Sequence, residues 1–326
     1  MPINNENVLV SVCMTAYNQA KYIVEAIEGV IKQKTTYSIE LLIGEDFGNR
    51  DNTLEICYEY EQKYPNIIRV IHDGKNHGMV DNEQRLINEA KGKYIAFCEA
   101  DDYWIDPFKI QKQVNILQNN PQYSACVCRS KVIFEDNSQS SKILMSNLTN
   151  NTVFTFNDLV KEGTGFQTAS FIFRTANIRN YQNLPSGING WDRAVFWLNA
   201  LYGDIYCFND VMCVYRKNMD GVSSLVTVKM MLKDLDIVNW LKKSGVKIPI
   251  NALLSDIYLA IISCPVKIST IDLLKNYLFL VFYAKKSEID NRLILLNASN
   301  TLEYRLPIIL RKILRRLGLF NTKKNA

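Results

Sequence analysis

Only two histidines, and eight cysteines without metal-ligand spacing, are found in this 326-residue chain. Neither Cys126-Val127-Cys128 nor the pair Cys207 and Cys213 supplies the four-ligand spacing of a zinc site. No Gly-x-Gly-x-x-Gly follows the first apolar run, which disfavours a dinucleotide-dependent oxidoreductase. Tyr17-Asn18-Gln19-Ala20 is neither Gly-rich nor basic, unlike the triphosphate loop of a nucleotidyltransferase. No grouping of Ser, Cys and His marks an activated nucleophile. The polar start Met1 to Asn7 lacks the basic and apolar regions of a signal peptide, so a cytoplasmic protein with reduced, buried cysteines is expected. Leu273 to Ala284 is apolar but is broken by Lys275 and is shorter than the ~20 residues of a spanning helix.

Charge is unevenly spread. The formal net charge is +5, and residues 303 to 326 hold seven Lys or Arg and one Glu, a local +6 that leaves −1 for the rest. The main body therefore has no general basic surface, and nucleic-acid binding is not expected. A chain of this length can bury a full core in one large domain with a smaller appendage.

Apolar runs and amphipathic stretches alternate from the start, as in parallel strands joined by helices. Val8 to Met14, Ile39 to Ile43, Ile67 to Ile71 and Tyr94 to Phe97 read as strands. Tyr22, Ile23, Ala26, Ile27, Val30 and Ile31 recur at helical steps, and further helices are expected over Thr53 to Tyr60 and Asn82 to Ala90. Asp106-Pro107 reads as an N-cap and first helical residue, with Ile110, Val114 and Leu117 inward. Asp136 to Asn151 is polar and reads as a loop. Strand-like Ala169 to Phe173, a helix from about Trp191 to Leu201, and strands Ile205 to Phe208 and Val211 to Tyr215 complete a domain over 1–225. Residues 226–326 read as a mainly helical C-terminal region. In a doubly wound sheet ligands bind at the carboxyl ends of strands, where Thr15 to Asn18, Glu45 to Asp51 and Glu99 to Asp102 lie.

The most informative residues are Glu99-Ala100-Asp101-Asp102, three carboxylates directly after the run Tyr94-Ile95-Ala96-Phe97. Like charges clustered at a buried strand's exit raise the energy unless a cation or ordered donors compensate. Mg2+ or Mn2+ suits this, since such ions take carboxylate oxygens and keep positions open for substrate phosphates. A helix cap needs one carboxylate, and three exceed that need.

Ser11-Val12-Cys13-Met14-Thr15-Ala16-Tyr17-Asn18, together with Gly92-Lys93-Tyr94-Ile95-Ala96 and Glu99-Ala100-Asp101-Asp102-Tyr103-Trp104, resembles the nucleotide loop and metal-motif strand of family 2 glycosyltransferases of the GT-A fold. The resemblance covers roughly residues 8 to 218. It implies an α/β fold with a mixed, mostly parallel sheet flanked by helices, a helical C-terminal region, and an inverting transfer from a nucleotide-sugar donor, with uracil the expected base. It implies that Thr15 and Tyr17 lie against the nucleotide, that Glu45 and Asp46 accept hydrogen bonds from the base, and that Asn82 belongs to the donor site. Asp101 is the first metal ligand implied and Glu99 the second, with Glu99 and Asp102 also able to reach ribose, donor sugar or a metal-bound water. Asp51, by contrast, is expected to cap the following helix.

Gly190-Trp191-Asp192-Arg193 is similar to the family segment whose Asp is the catalytic base, which makes Asp192 the candidate, beside the alternative of a helix N-cap. Trp104 and Trp191 are the candidate acceptor contacts. Val211-Met212-Cys213-Val214-Tyr215-Arg216 resembles a segment ending in Tyr-Arg-any-His, but Asn218 stands where His is usual. Arg216 reads equally as a clamp on the donor pyrophosphate and as a surface arginine without ligand. The acceptor class implied is a saccharide or lipid-linked saccharide of a bacterial surface polysaccharide such as lipopolysaccharide or capsule. A non-catalytic sugar-binding or assembly protein is the competing reading, with a sugar nucleotidyltransferase behind it.

Leu306, Ile309, Leu310, Ile313, Leu314 and Leu317 line one helical face while Arg311, Lys312, Arg315 and Arg316 supply charge. This suits either peripheral contact with the anionic inner face of a membrane or packing on the main domain with a solvated basic face. If the membrane reading holds, deleting residues 303 to 326 abolishes binding to anionic liposomes in a flotation assay, and unchanged binding overturns it.

Overall fold

The computed structural model describes residues 9–48, 50–136, 139–162, 165–179, 185–188, 190–218, 226–243, 247–263 and 268–286, with Arg305, Leu314 and Arg316. Apart from those last three residues, the basic tail lies outside the described residues. The chain divides into two compact units. The first comprises Met1–Thr155, Gly165–Ser186 and Val195–Ser224, and the second Phe156–Thr164, Gly187–Ala194 and Leu225–Ala326.

In chain order the elements are β1 (Val10–Ala16), α1 (Ile23–Ile31), β2 (Ile39–Glu45), α2 (Thr53–Lys63), β3 (Ile68–Ile71), α3 (Met79–Glu89), β4 (Tyr94–Phe97) and β5 (Tyr103–Trp104). Then follow α4 (Lys109–Asn119), β6 (Tyr123–Phe134), β7 (Lys142–Ile143), β8 (Thr152–Phe154), α5 (Phe156–Glu162), β9 (Ile172–Arg174), α6 (Ala176–Arg179), α7 (Trp191–Tyr202) and β10 (Asp204–Lys217). The helices α8 (Val228–Lys233), α9 (Leu235–Lys242), α10 (Ile250–Ser263) and α11 (Thr270–Lys286) complete the described chain.

All strands belong to one mixed sheet of order β3-β2-β1-β4-β9-β6-β10-β5, with β7 on β6 and β8 on β10. The strands β3, β2, β1 and β4 are parallel. The pair β6 and β10 is also parallel, and β9 joins the two groups by running antiparallel to both β4 and β6. The central strands read as apolar runs because both faces are covered. Val10, Val12, Met14, Leu41, Ile43, Tyr94 and Ala96 meet the inward face of α1, formed by Ile23, Ala26, Ile27 and Val30, in one core. In the second unit Ile237, Leu241, Leu253, Ile257, Ile261, Tyr277 and Leu280 are buried on α9, α10 and α11. No helix among the described residues is long and apolar enough to cross a membrane.

Three expectations differ from the structure. The helix expected from Asp106-Pro107 begins at Lys109, because Asp106 holds a turn by accepting from Phe108 N at 2.8 Å and from Lys112 Nζ at 2.8 Å. The two strands read over 205–208 and 211–215 are one strand, β10, whose register shifts between Phe208 and Val211 mark a bulge. The long strand β6 was not expected, since Ser124, Arg129, Ser130 and Lys131 interrupt its apolar pattern.

At the amino ends of the central strands a buried polar knot fixes the register. Ser11 Oγ donates to Glu40 Oε1 at 2.5 Å and accepts from Gly92 N at 2.8 Å, while Gly92 O accepts from Thr175 Oγ1 at 2.7 Å. A Cβ on Gly92 would lie 2.5 Å from Ser11 N and 2.8 Å from Tyr94 O. Backbone cannot yield as a flexible side chain can, so Gly92→Ala should lower the unfolding free energy by more than about 2 kcal/mol. Urea denaturation measures this, and an unchanged midpoint would show that the knot relaxes freely.

Candidate active site

After β3 the chain returns to place β4 on the other side of β1, so β1 and β4 define a topological switch point, where a ligand crevice is expected at the carboxyl ends. The ends of these strands are stitched together there. Ala100 N donates to Thr15 O at 3.1 Å, Cys98 N to Cys13 O at 3.0 Å, and Asp46 N to Ala16 O at 2.9 Å. Thr15 thus joins the loop after β4 to β1, beside Tyr17, which is 44% exposed.

Arg216, near the end of β10, organises the carboxylate loop from the opposite side. Its backbone N donates to Asp102 Oδ1 at 2.9 Å and its Nε to Asp101 O at 2.9 Å. Its guanidinium pairs with Glu135 Oε1 at 2.8 Å and Glu25 Oε2 at 2.6 Å, and it lies between the rings of Tyr22 and Tyr103, 4.7 and 5.1 Å from their centroids. It is neither a lone surface arginine nor a side chain aimed wholly at a ligand. Lys21 Nζ reaches the other oxygen of Glu135 at 2.7 Å. Asn218, standing where His is usual in the resembling family, donates from Nδ2 to Asp101 Oδ2 at 3.2 Å.

Burial, the largest cause, pushes the Asp101 carboxyl above its ordinary range, against smaller opposing contributions that include the Asn218 hydrogen bond and Arg216. Burial pushes Asp102 well above its range, reinforced by Asp101 and Glu99. Glu83, buried on α3, is likewise held well above its range by burial and then by Glu99. These carboxyls are short of positive charge.

The loop after β2 has a different character. Glu45 is fully buried and accepts from Phe47 N at 3.0 Å and Gly48 N at 2.8 Å, with His72 Nδ1 2.8 Å from its Oε2. Asp46 accepts from His77 N at 2.7 Å and Gly78 N at 2.9 Å, just before α3. Asp51 accepts from Thr53 N at 3.0 Å and from Ala20 N at 2.9 Å, so it caps α2 and ties that helix to the loop after β1. Asn82 is buried and donates to Gly44 O at 2.7 Å, which supports the end of β2. Phe47 and Asn18 occupy left-handed backbone at φ 50° and 53°. A Cβ on Gly48 would lie 2.5 Å from Asn18 Oδ1, so the two loops interlock, and Phe47 is 46% exposed.

Trp104 packs inward. It is 4% exposed, donates from Nε1 to Ala169 O at 2.9 Å, and carries Lys109 Nζ 4.2 Å from its ring centroid. Trp191 is also buried. Asp192 lies in the first turn of α7 and belongs to the second unit. Its Oδ1 accepts from Arg193 N at 2.7 Å, and burial raises its carboxyl above the ordinary range.

Sequence reasoning missed Glu25, Glu135, Tyr22, Tyr103 and Phe47. The pairing of Arg216 with Glu25 spans 191 residues, which no local pattern encodes. For Phe47 a signal existed, a bulky aromatic between Asp46 and Gly48 in a tight loop.

Among the described residues no three His, Cys, Asp or Glu side chains form a ready-made metal cage. A Mg2+ or Mn2+ shared with substrate phosphates needs only one or two carboxylates, and half-buried Asp101, whose carboxyl burial holds above its ordinary range, fits that use.

A mixed, mostly parallel sheet with carboxylates gathered at its switch point is the frame of a nucleotide-sugar transferase fold. The glycosyl transferase family 2 model matches residues 11–181, and the chain belongs to that family. An uncharacterised protein of Mycobacterium tuberculosis is 31% identical over 212 residues, 65% of this chain and 60% of that protein. The chain thus spans about 60% of the length of this curated relative. Among solved structures, TarS 1-349 of S. aureus in complex with UDP-GlcNAc is similar at TM-score 0.59 and 18% identity, covering 91% of each chain. A mannosyltransferase of Pyrobaculum calidifontis in complex with GDP-Man and Mn2+ is similar at TM-score 0.56 and 13% identity, covering 98% of this chain and 81% of the other.

The raised Asp101 carboxyl has a stability consequence. The folded chain binds this proton more tightly than the unfolded chain, so its contribution to stability falls as pH rises through the ordinary Asp range toward the raised value. Asp101→Asn is expected to raise the melting temperature at pH 7 by about 2 °C, a gain that fades below the ordinary carboxylate pKa of ~3.9. Thermal melts between pH 3 and 8 test this, and a lower melting temperature at pH 7 would show that the site stabilises the anion.

Proposed function

We propose that this glycosyltransferase moves a sugar from a uridine-type nucleoside diphosphate donor to a hydroxyl of a saccharide or lipid-linked saccharide, by a single displacement with inversion. The observation that carries the reading is the Glu99 to Asp102 loop, held to β1 through Thr15 and to β10 through Arg216. The nucleoside diphosphate sugars in the two similar structures support the donor class.

Tyr17 offers an exposed ring for stacking on the base. Each Asp46 oxygen accepts one backbone N–H and retains acceptor capacity for a base N–H, while Glu45 holds the loop's shape. Thr15 lies beside the nucleoside, and Glu99 and Asp102 face the ribose or donor sugar. Asp101, with Glu99, would hold Mg2+ or Mn2+, which when bound supplies Lewis-acid neutralisation of the diphosphate. Arg216 acts here as a positioning residue for the loop.

Asp192 takes the proton of the acceptor hydroxyl as its oxygen bonds to the anomeric carbon and the carbon–oxygen bond to the diphosphate breaks. A carboxyl whose pKa is raised toward the working pH suits a general base, a role contributing on the order of 10² to 10⁴ in rate. The basic amphipathic pattern of residues 303–326 supports an acceptor presented at an anionic membrane surface.

Thermal melts with UDP, GDP, CDP and dTDP, each with Mn2+ or EDTA, test the donor reading on wild type and Asp101→Ala. A ligand at 100 times its dissociation constant adds ~2.7 kcal/mol. Stabilisation by UDP that needs both metal and Asp101 is expected, and no response to any nucleotide sinks the reading. Once the donor is known, Asp192→Asn should lower kcat by about 10² to 10⁴ with the donor KM unchanged. Undiminished transfer would remove Asp192 from the mechanism.

A further inference from the structure

Asp192 lies beyond residues 11–181, the part matched by the family model, and so do Asp234 and Asp256 in the second unit. Asp234, between α8 and α9, is 1% exposed. Its Oδ1 accepts from Gly190 N at 3.0 Å, and its Oδ2 lies 3.9 Å from Arg193 NH1. One carboxylate therefore hydrogen-bonds the chain two residues before Asp192 and faces the side chain of the residue after it. Asp256, buried on α10, takes the other side of the same arginine, with its Oδ2 3.6 Å from Arg193 Nε.

The approach is close. A Cβ on Gly190 would lie 3.1 Å from Asp234 Oδ2, so glycine is what lets the turn settle against this carboxylate. Arg193 N in turn donates to Asp192 Oδ1 at 2.7 Å, which fixes the Asp192 side chain relative to the residue that Asp234 and Asp256 hold. Burying a carboxylate carries a large desolvation cost unless it is paired and hydrogen-bonded. Asp234 meets that condition in part, with Oδ1 taking the Gly190 N hydrogen bond and Oδ2 facing Arg193 at ion-pair distance.

We propose that Asp234, seconded by Asp256 through Arg193, is a positioning residue for Asp192, so that helices α9 and α10 set the orientation and charge environment of the candidate base. This rests on the reading of Asp192 as the base. The charged groups acting on it are Arg193 from its own helix and Asp234 from the α8–α9 junction, with Asp256 from α10 facing Arg193. Lys233 approaches the same turn at Gly187, where its Nζ would lie 2.7 Å from an added Cβ. Arg193 lowers the Asp192 pKa and Asp234 raises it, although burial is the larger cause.

The test is a carbon-13 NMR titration of the Asp192 carboxyl in the full chain labelled at aspartate, assigned with Asp192→Asn. Asp234→Asn keeps an oxygen for Gly190 N and removes the charge. It should move the Asp192 midpoint to lower pH, while Arg193→Gln moves it to higher pH. Midpoints unchanged in both folded variants overturn the proposal. Asp234→Glu, which restores charge with a longer reach, guards against a variant that fails to fold, and it should return the midpoint toward wild type. With an identified donor, Asp234→Asn should also lower kcat about tenfold at unchanged donor KM, whereas an unchanged kcat overturns the positioning role. The NMR readout needs no substrate. Loss of the base role for Asp192, seen as full transfer by Asp192→Asn, is thereby distinguishable from loss of the coupling itself.

Discussion

Three acidic side chains within four residues would push a loop apart, and the contact that prevents this is the Arg216 guanidinium held between Tyr22 and Tyr103. Its charge is balanced by Glu25 and Glu135 rather than by the loop's own carboxylates. Through its backbone N and its Nε it fastens Asp102 and Asp101 in place without neutralising either one fully. The loop thereby keeps a defined shape, while burial holds the Asp101 and Asp102 carboxyls above their ordinary range. β10 has to deliver Arg216 to this point, and the bulge after Phe208 adjusts its register on the way.

The division of work between neighbouring loops follows from the same economy of charge. Glu45 and Asp46 direct their oxygens to backbone N–H groups and so shape the loop after β2 and the start of α3. The amino end of α3, which in many phosphate-binding proteins faces the ligand, here faces Asp46.

Much of the first unit was legible in the sequence because its central strands are covered on both faces and read as unbroken apolar runs. Val10 to Ala16, Ile39 to Glu45 and Tyr94 to Phe97 are of this kind. The strand over Tyr123–Phe134 was hidden by its Ser, Arg and Lys, and the bulge at Asn209-Asp210 looked like a turn between two strands. At the site, the carboxylates were legible because their clustering is local. The surroundings of Arg216 were not, because Glu25 and Glu135 are brought to it by topology. Trp104 follows the carboxylates directly, and β5 turns it inward to Ala169. The cap role of Asp51 was legible from spacing alone.

Phe47 carries one further consequence. A bulky side chain in left-handed backbone is disfavoured by on the order of 1 to 3 kcal/mol, and Gly would relieve it without disturbing the Glu45 hydrogen bonds, which go to main-chain N–H groups. A lineage drifting under selection for stability alone would discard this aromatic early, since proteins sit only just above the threshold they need. Its persistence in a sequence pool, or its replacement by Gly, would thus report what selection acts on at this loop.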